Sequence, residues 1–303
     1  MAKARIGIVG AGLMGHGIAQ VFAVAGHPVT VYDAFPEALK TLRSRIAKNL
    51  ADLGQDSAVA ERVTPSETLA GAVGEADVVI EAAPEKLALK QDIFAELEKL
   101  APRRALLASN TSVIPIGKIA ARVTSRDRVL GTHWWVPPYL VPLVEVIQAE
   151  GTSDGSVTAM IELLRSVGKT AVHVKKDVPG FIGNRLQHAL WREAMALVQN
   201  GVCDARTVDI VVKASFGRRL PVIGPLESAD MIGTDLALDC HENLLFDLDR
   251  TPGPLPCLSD LVATGKLGFK SGEGFRTWTT EEQSALRGKL TNHLKKMAKE
   301  DSA

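Results

Sequence analysis

Gly131-Thr132-His133-Trp134-Trp135 places a histidine in an apolar run, and Glu145 follows twelve residues on, inside Pro142-Leu143-Val144-Glu145-Val146-Ile147. A carboxylate within an otherwise apolar strand needs a partner, because burying an unpaired charge is costly. If the two runs are neighbouring strands, Glu145 can take a hydrogen bond from one imidazole nitrogen of His133. The other nitrogen is then free for acid–base work. A lone histidine is most often structural, so the pairing carries the reading.

A second constellation lies at the start of the chain. Gly10-Ala11-Gly12-Leu13-Met14-Gly15 follows a short apolar run and opens a helical pattern, and Asp33 closes the next apolar run. In this context the glycine spacing is a dinucleotide-binding fingerprint, with an acidic residue about 20 residues further on. Gly10 permits the tight turn, Gly12 the approach of a pyrophosphate, and Gly15 close helix–strand packing. Asp33 suits the two ribose hydroxyls of an adenosine and would repel a 2′-phosphate. Ala34-Phe35-Pro36 offer no cation to offset that. NAD is the expected cofactor. FAD and a ligand-free glycine turn are the alternatives.

The elements that must hold these residues follow from the pattern. Strands are expected at Ile6–Val9, Val29–Tyr32, Asp77–Ile80, Ala105–Ala108, Val129–His133, Leu143–Ile147 and Ala171–Val174. Helices are expected at Leu13–Ala25, from Pro36 through Ala38–Leu53, at Leu87–Leu100 and at Asp154–Val167. Alternating strands and helices make an α/β fold, a doubly wound parallel sheet of Rossmann type. After Pro179-Gly180 the pattern becomes helical: Ile182–Gln199, Ala205–Ala214, Ala229–Phe246 and a terminal amphipathic helix from Thr280. This gives residues 1–183 as the NAD-binding domain and 184–303 as an all-α domain for the substrate pocket and dimerisation.

Composition narrows the class. The 303 residues are 46% apolar and 23% charged, enough for a sizeable core. Lys plus Arg and Asp plus Glu are 35 each, so no basic excess points to nucleic acid. Cys203, Cys240 and Cys257 are few, widely spaced and odd in number. Neither a disulfide framework nor a metal site is expected, and a reducing, cytoplasmic setting is. No apolar run is long enough for a membrane span.

Taken together, the motifs resemble the short-chain L-3-hydroxyacyl-CoA dehydrogenase family, whose relatives include enzymes acting on small free hydroxy acids such as L-gulonate or carnitine. The likeness rests on Gly10–Gln20 (GAGLMGHGIAQ), Glu81–Lys90 (EAAPEKLALK), Ser109–Ser112 (SNTS), His133–Pro137, Pro179–Arg185 (PGFIGNR), Gly224–Glu227 and Lys266–Phe275 (KLGFKSGEGF). It implies His133 as catalytic acid–base and Glu145 as its orienting partner. It implies Ser112 on the substrate oxygen, Asn184 holding substrate near the histidine, and Asn110 beside the nicotinamide. Glu85 and Lys90 would contact the cofactor ribose region. A small-molecule substrate is expected, and a homodimer supported by the helical part, symmetric pairing being the commonest oligomer.

Two departures bear on the substrate. The family's His-Phe-Phe-Asn-Pro segment is here His133-Trp134-Trp135-Val136-Pro137. Trp134, Trp135 and Val136 thereby become pocket candidates, together with Arg185. Arg185, Arg218 and Arg219 are also candidate carboxylate clamps. Second, the segment from Asp33 to Asp77 is short and carries only Lys40, Arg43, Arg45, Lys48 and Arg62 as cations. The phosphates of CoA call for several cations and backbone donors. The expected activity is therefore hydride transfer between NAD and a secondary alcohol β to a carboxylate or thioester. A small free 3-hydroxy acid is slightly favoured over a 3-hydroxyacyl-CoA. The rival reading is a catalytically idle NAD-binding protein, structural or sensory.

Overall fold

The computed structural model describes residues 3–300. Eight strands form one sheet: β1 (Ile6–Val9), β2 (Val29–Tyr32), β3 (Val63–Ser66), β4 (Val78–Glu81), β5 (Leu106–Ser109), β6 (Val129–Trp134), β7 (Leu143–Ile147) and β8 (Thr170–Val174). Their spatial order is β3-β2-β1-β4-β5-β6-β7-β8. Every pair is parallel except β6–β7. The order reverses direction at β1, which lies between β2 and β4. In open α/β sheets the crevice outside such a reversal is where ligands bind.

The helices α1 (Leu13–Val24), α2 (Pro36–Lys40), α3 (Leu42–Asp52), α4 (Leu69–Val73), α5 (Leu87–Leu100), α6 (Ile116–Ile119) and α7 (Asp154–Ser166) accompany this sheet. Two apolar clusters result. One includes Ile8, Phe22, Leu42, Trp134 and Val146. The other includes Val79, Phe94, Leu97, Leu107 and Ile116. Central strands buried on both faces are why β1, β4 and β5 read as continuous apolar runs.

The short helices α4 and α6 were not expected, and three further differences have a clear physical reason. The helix expected through Ala38–Leu53 breaks at Thr41, whose carbonyl accepts from Ser44 Oγ and Arg45 Nε. β3 was not expected: Val63-Thr64-Pro65-Ser66 is polar and contains proline, which a sheet tolerates at its edge. The helix expected at Ala229–Phe246 is split into α10 (Pro225–Ile232) and α11 (Thr234–Leu244) by Gly233, at φ 99°.

The remaining helices are α8 (Gly183–Gln199), α9 (Ala205–Ala214), α12 (Pro256–Ala263) and α13 (Thr280–Glu300). Internal contacts divide the chain into two units. One runs to Arg185 and takes in the chain from Thr291 onward; the other is Leu186–Leu290. The end of α13 thus belongs with the sheet rather than with the helical part, and Lys295 Nζ donates to the Asp52 carbonyl at 2.7 Å. Among the described residues no helix is long and apolar enough to cross a membrane.

Candidate active site

The glycine loop joins β1 to α1 over the C-terminal edge of the sheet. Gly10 has φ 105°, a conformation that side-chain-bearing residues rarely adopt, and its N–H donates to Tyr32 O at 2.8 Å. A Cβ on Gly15 would lie 1.7 Å from the Gly10 carbonyl oxygen, so only glycine allows this helix to start so close to the strand. Gly12, by contrast, faces open space. Neither a side-chain cap nor an acidic residue occupies the first turn of α1. Its free N–H groups, with Leu13 and Met14 in that turn, suit the pyrophosphate of a dinucleotide.

Asp33 directly follows β2, and its carboxylate shapes the backbone around it. Oδ2 accepts from Ala11 N at 2.6 Å and Oδ1 from Phe35 N at 2.8 Å. Contrary to the sequence expectation, a cation does lie nearby. Arg45 comes from α3, and its Nη2 donates to Ala11 O and Ala38 O at 2.7 and 2.8 Å. Burial lowers the Arg45 pKa, while the Asp33 charge works in the opposite sense. With Nε and Nη2 on backbone carbonyls and Nη1 3.3 Å from His16 Nδ1, Arg45 serves the loop. No local spacing signals it, because α3 reaches the loop only through the fold.

The loop after β4 is fixed by a buried ion pair. Glu81 and Lys90 are almost wholly enclosed, with Lys90 Nζ 2.7 Å from Glu81 Oε1. The ammonium also approaches Glu85 Oε2 at 3.4 Å and Ala83 O at 3.2 Å. Direct contact of Lys90 with a ribose is therefore corrected: its side chain is enclosed and spent on protein oxygens. Glu85 in turn receives Thr111 Oγ1 and the N–H groups of Ser112 and Val113. Burial would raise its pKa, but these donors and Lys90 outweigh it, and the carboxyl is held low. Glu85 thus ties the β4 loop to the Asn110–Ser112 turn after β5.

His133 and Glu145 form a direct cross-strand pair in the one antiparallel step of the sheet. His133 Nδ1 lies 2.7 Å from Glu145 Oε2, and both side chains are buried. The second oxygen, Oε1, accepts the N–H groups of Ile182 and Gly183 at 2.9 and 3.1 Å. Burial pushes the Glu145 pKa up, but the imidazole and these two donors bring it below the ordinary carboxylate value. Ionised, Glu145 only accepts, so Nδ1 carries the hydrogen and Nε2 is left as the basic nitrogen.

The two N–H groups point at Glu145 because Phe181 adopts φ 52°, rare for a bulky residue. Successive N–H groups turned inward in this way form an anion-holding concavity. The Phe181 ring is buried 5.6 Å from the His133 ring. The Pro179–Arg185 motif carries no mark of that role in the sequence beyond a bulky residue directly after Gly180.

The two tryptophans diverge, because successive strand residues point to opposite faces. Trp134 is in the core, edge-on to Phe22, and is corrected as a pocket residue. Its backbone N–H donates to Asn110 Oδ1 at 3.1 Å, which ties the Asn110 turn to β6. Trp135 shares the face of His133, with ring centroids 5.2 Å apart. Val136 is exposed. Asn184 Nδ2 donates to Ser112 O at 2.8 Å, joining the start of α8 to the Asn110–Ser112 turn. Arg185 is exposed and reaches Pro179 O. Arg218 and Arg219 lie in the second unit, at the end of a short helical turn.

Comparison with known proteins now decides the class. The family model for the 3-hydroxyacyl-CoA dehydrogenase NAD binding domain matches residues 5–178, and that for its C-terminal domain matches residues 180–278. The chain belongs to the 3-hydroxyacyl-CoA dehydrogenase family. It is an NAD-dependent dehydrogenase. The 5-formyl-3-hydroxy-2-methylpyridine 4-carboxylate 5-dehydrogenase of Mesorhizobium japonicum is 37% identical over 295 residues, covering 96% of each chain. A probable 3-hydroxybutyryl-CoA dehydrogenase of Bacillus subtilis is 41% identical over 281 residues, covering 89% of this chain and 96% of that one. Among solved structures, a 5-formyl-3-hydroxy-2-methylpyridine 4-carboxylic acid 5-dehydrogenase superposes with a TM-score of 0.91 at 34% identity. It covers 100% of this chain and 99% of its own.

Proposed function

We propose that this enzyme moves hydride between NAD and a secondary alcohol β to a carboxylate or thioester, with His133 as acid–base and Glu145 as its partner. The observation that carries this reading is the buried 2.7 Å contact between His133 Nδ1 and Glu145 Oε2. In the oxidative direction Nε2 takes the hydroxyl proton of the substrate. Bound NAD supplies the hydride acceptor at C4 of its pyridine ring. The imidazolium that forms is stabilised by Glu145, which is already ionised and held by two backbone donors. Reduction reverses both transfers. Ser112 and Asn184 would orient the substrate oxygen, and Asn110 would stand beside the nicotinamide of a bound NAD. Glycines 10, 12 and 15 and Asp33 hold the adenosine half. His133→Ala tests the assignment: turnover collapses while NADH still binds, and near-normal turnover would refute it.

A small free 3-hydroxy or 3-keto acid is favoured over a CoA ester. Support comes from the short, cation-poor 33–77 segment and from the near full-length likeness to a pyridine carboxylate dehydrogenase. Paired kinetics with acetoacetyl-CoA and a panel of free acids tests this, and strong preference for the thioester overturns it. We further propose a homodimer working in the cytoplasm.

A further inference from the structure

Lys169 lies just before β8, on the side of the sheet away from the imidazole, and the chemistry above makes no use of it. It is only 8% exposed. Its ammonium donates to Pro138 O at 2.5 Å and to Val141 O at 3.0 Å. Both carbonyls belong to the 135–142 connection between β6 and β7, the strands that carry His133 and Glu145. The same ammonium stands 5.6 Å from the centroid of Trp134, the residue next to His133. On the other side, Pro138 packs so tightly on α1 that a Cβ on Gly17 would lie 2.5 Å from its Cγ. The connection is therefore held between a helix and a buried cation.

We infer that Lys169 is a positioning residue: by tying two carbonyls of the β6–β7 connection, it keeps His133 opposite Glu145. This rests on the acid–base reading above. A buried ammonium is costly to keep, and charge-assisted bonds are roughly twice as strong as neutral ones. Burial lowers the Lys169 pKa to about 8, so the ammonium remains mostly charged at neutral pH. A purely apolar residue would fill the space but leave both carbonyls without this donor. A cavity of about 400 Å³, lined in part by Lys169, Gln20, Gln55, Tyr139 and Leu140, gives small molecules access to the spot.

The test compares Lys169→Ala and the bulkier Lys169→Met with the unaltered enzyme, with kcat expressed per NADH-binding site so that unfolded protein does not count. The expected result is a fall of at least about tenfold in kcat, with NADH affinity within about twofold. The downfield Nδ1–H proton resonance of His133 should shift or broaden in both variants. Ethylammonium, entering the space left by Lys169→Ala, should restore kcat at least about threefold and leave His133→Ala unaffected. A per-site kcat within about twofold of the unaltered enzyme in whichever variant folds, with the imidazole resonance unmoved, overturns the inference. The resonance reads the positioning without turnover, so a His133→Ala enzyme that stays active would sink the acid–base reading separately.

Discussion

The two units of this chain bury their apolar residues very differently. The sheet unit holds nearly all of the deeply buried side chains, among them Phe22, Leu42, Ile80, Phe94 and Leu107. Leu186–Leu290 contributes little more than Leu255 and Ala196, while Leu226, Leu236, Phe246 and Met231 stand exposed. A rigid packed interior suits a unit that must hold an imidazole, a carboxylate and a phosphate-binding loop within tenths of an ångström. Large exposed apolar patches mark surfaces made to be covered. The contrast accords with the proposed homodimer, formed through the helical unit.

The strongest way to sharpen the contrast is at the acid–base pair. His133→Ala is expected to lower kcat by roughly 10²–10⁴-fold, the usual contribution of a positioned acid–base group, with NADH affinity by fluorescence unchanged. Next comes Gly15→Ala, whose methyl group would collide with the Gly10 carbonyl. NADH binding should weaken by at least about a hundredfold, because the helix start can no longer approach the pyrophosphate. Equilibrium dialysis showing normal binding would contradict the loop assignment.

On the helical unit, paired Leu226→Glu and Leu236→Glu substitutions should convert a dimer to monomer in sedimentation and lower Tm. If the unaltered protein is already monomeric at micromolar concentration, the contrast has another explanation. The smallest effect concerns acid. Burial would raise the Glu98 pKa, but hydrogen bonds from Ser125 and Thr124 outweigh it and bring it to about 2. Because the folded value lies below the unfolded one, the stability this carboxylate gives is complete above its ordinary pKa, roughly 4.3. It is lost as pH falls towards 2. Glu98→Gln should flatten that part of the acid unfolding curve, and an unchanged curve would remove Glu98 from the account.

What could be read from the sequence was what neighbours in the chain determine. Runs such as Ile6–Val9 and Val78–Glu81 disclose strands because both faces are buried. The glycine spacing discloses the loop because no other residue fits at Gly10 and Gly15. The partnership of His133 with Glu145 was inferable because a buried carboxylate demands one. What stayed hidden depends on contacts between distant segments. Arg45 reaches the Asp33 loop only once α3 packs. Lys90 looked available to a ligand until the fold enclosed it with Glu81. Trp134 and Trp135 look alike in sequence, and only strand alternation sends one into the core and the other beside the imidazole. The end of α13 gives no local sign that it packs on the sheet unit.

The left-handed backbone at Phe181 has a consequence for how the catalytic apparatus comes into being. An unfolded chain seldom visits that conformation at a bulky residue. The receptacle for the glutamate anion therefore depends on the packing that holds the benzyl group in its seat. Seating that ring and presenting the two N–H groups to the carboxylate are one packing arrangement, so a substitution that frees the ring would also loosen the anion beside the imidazole.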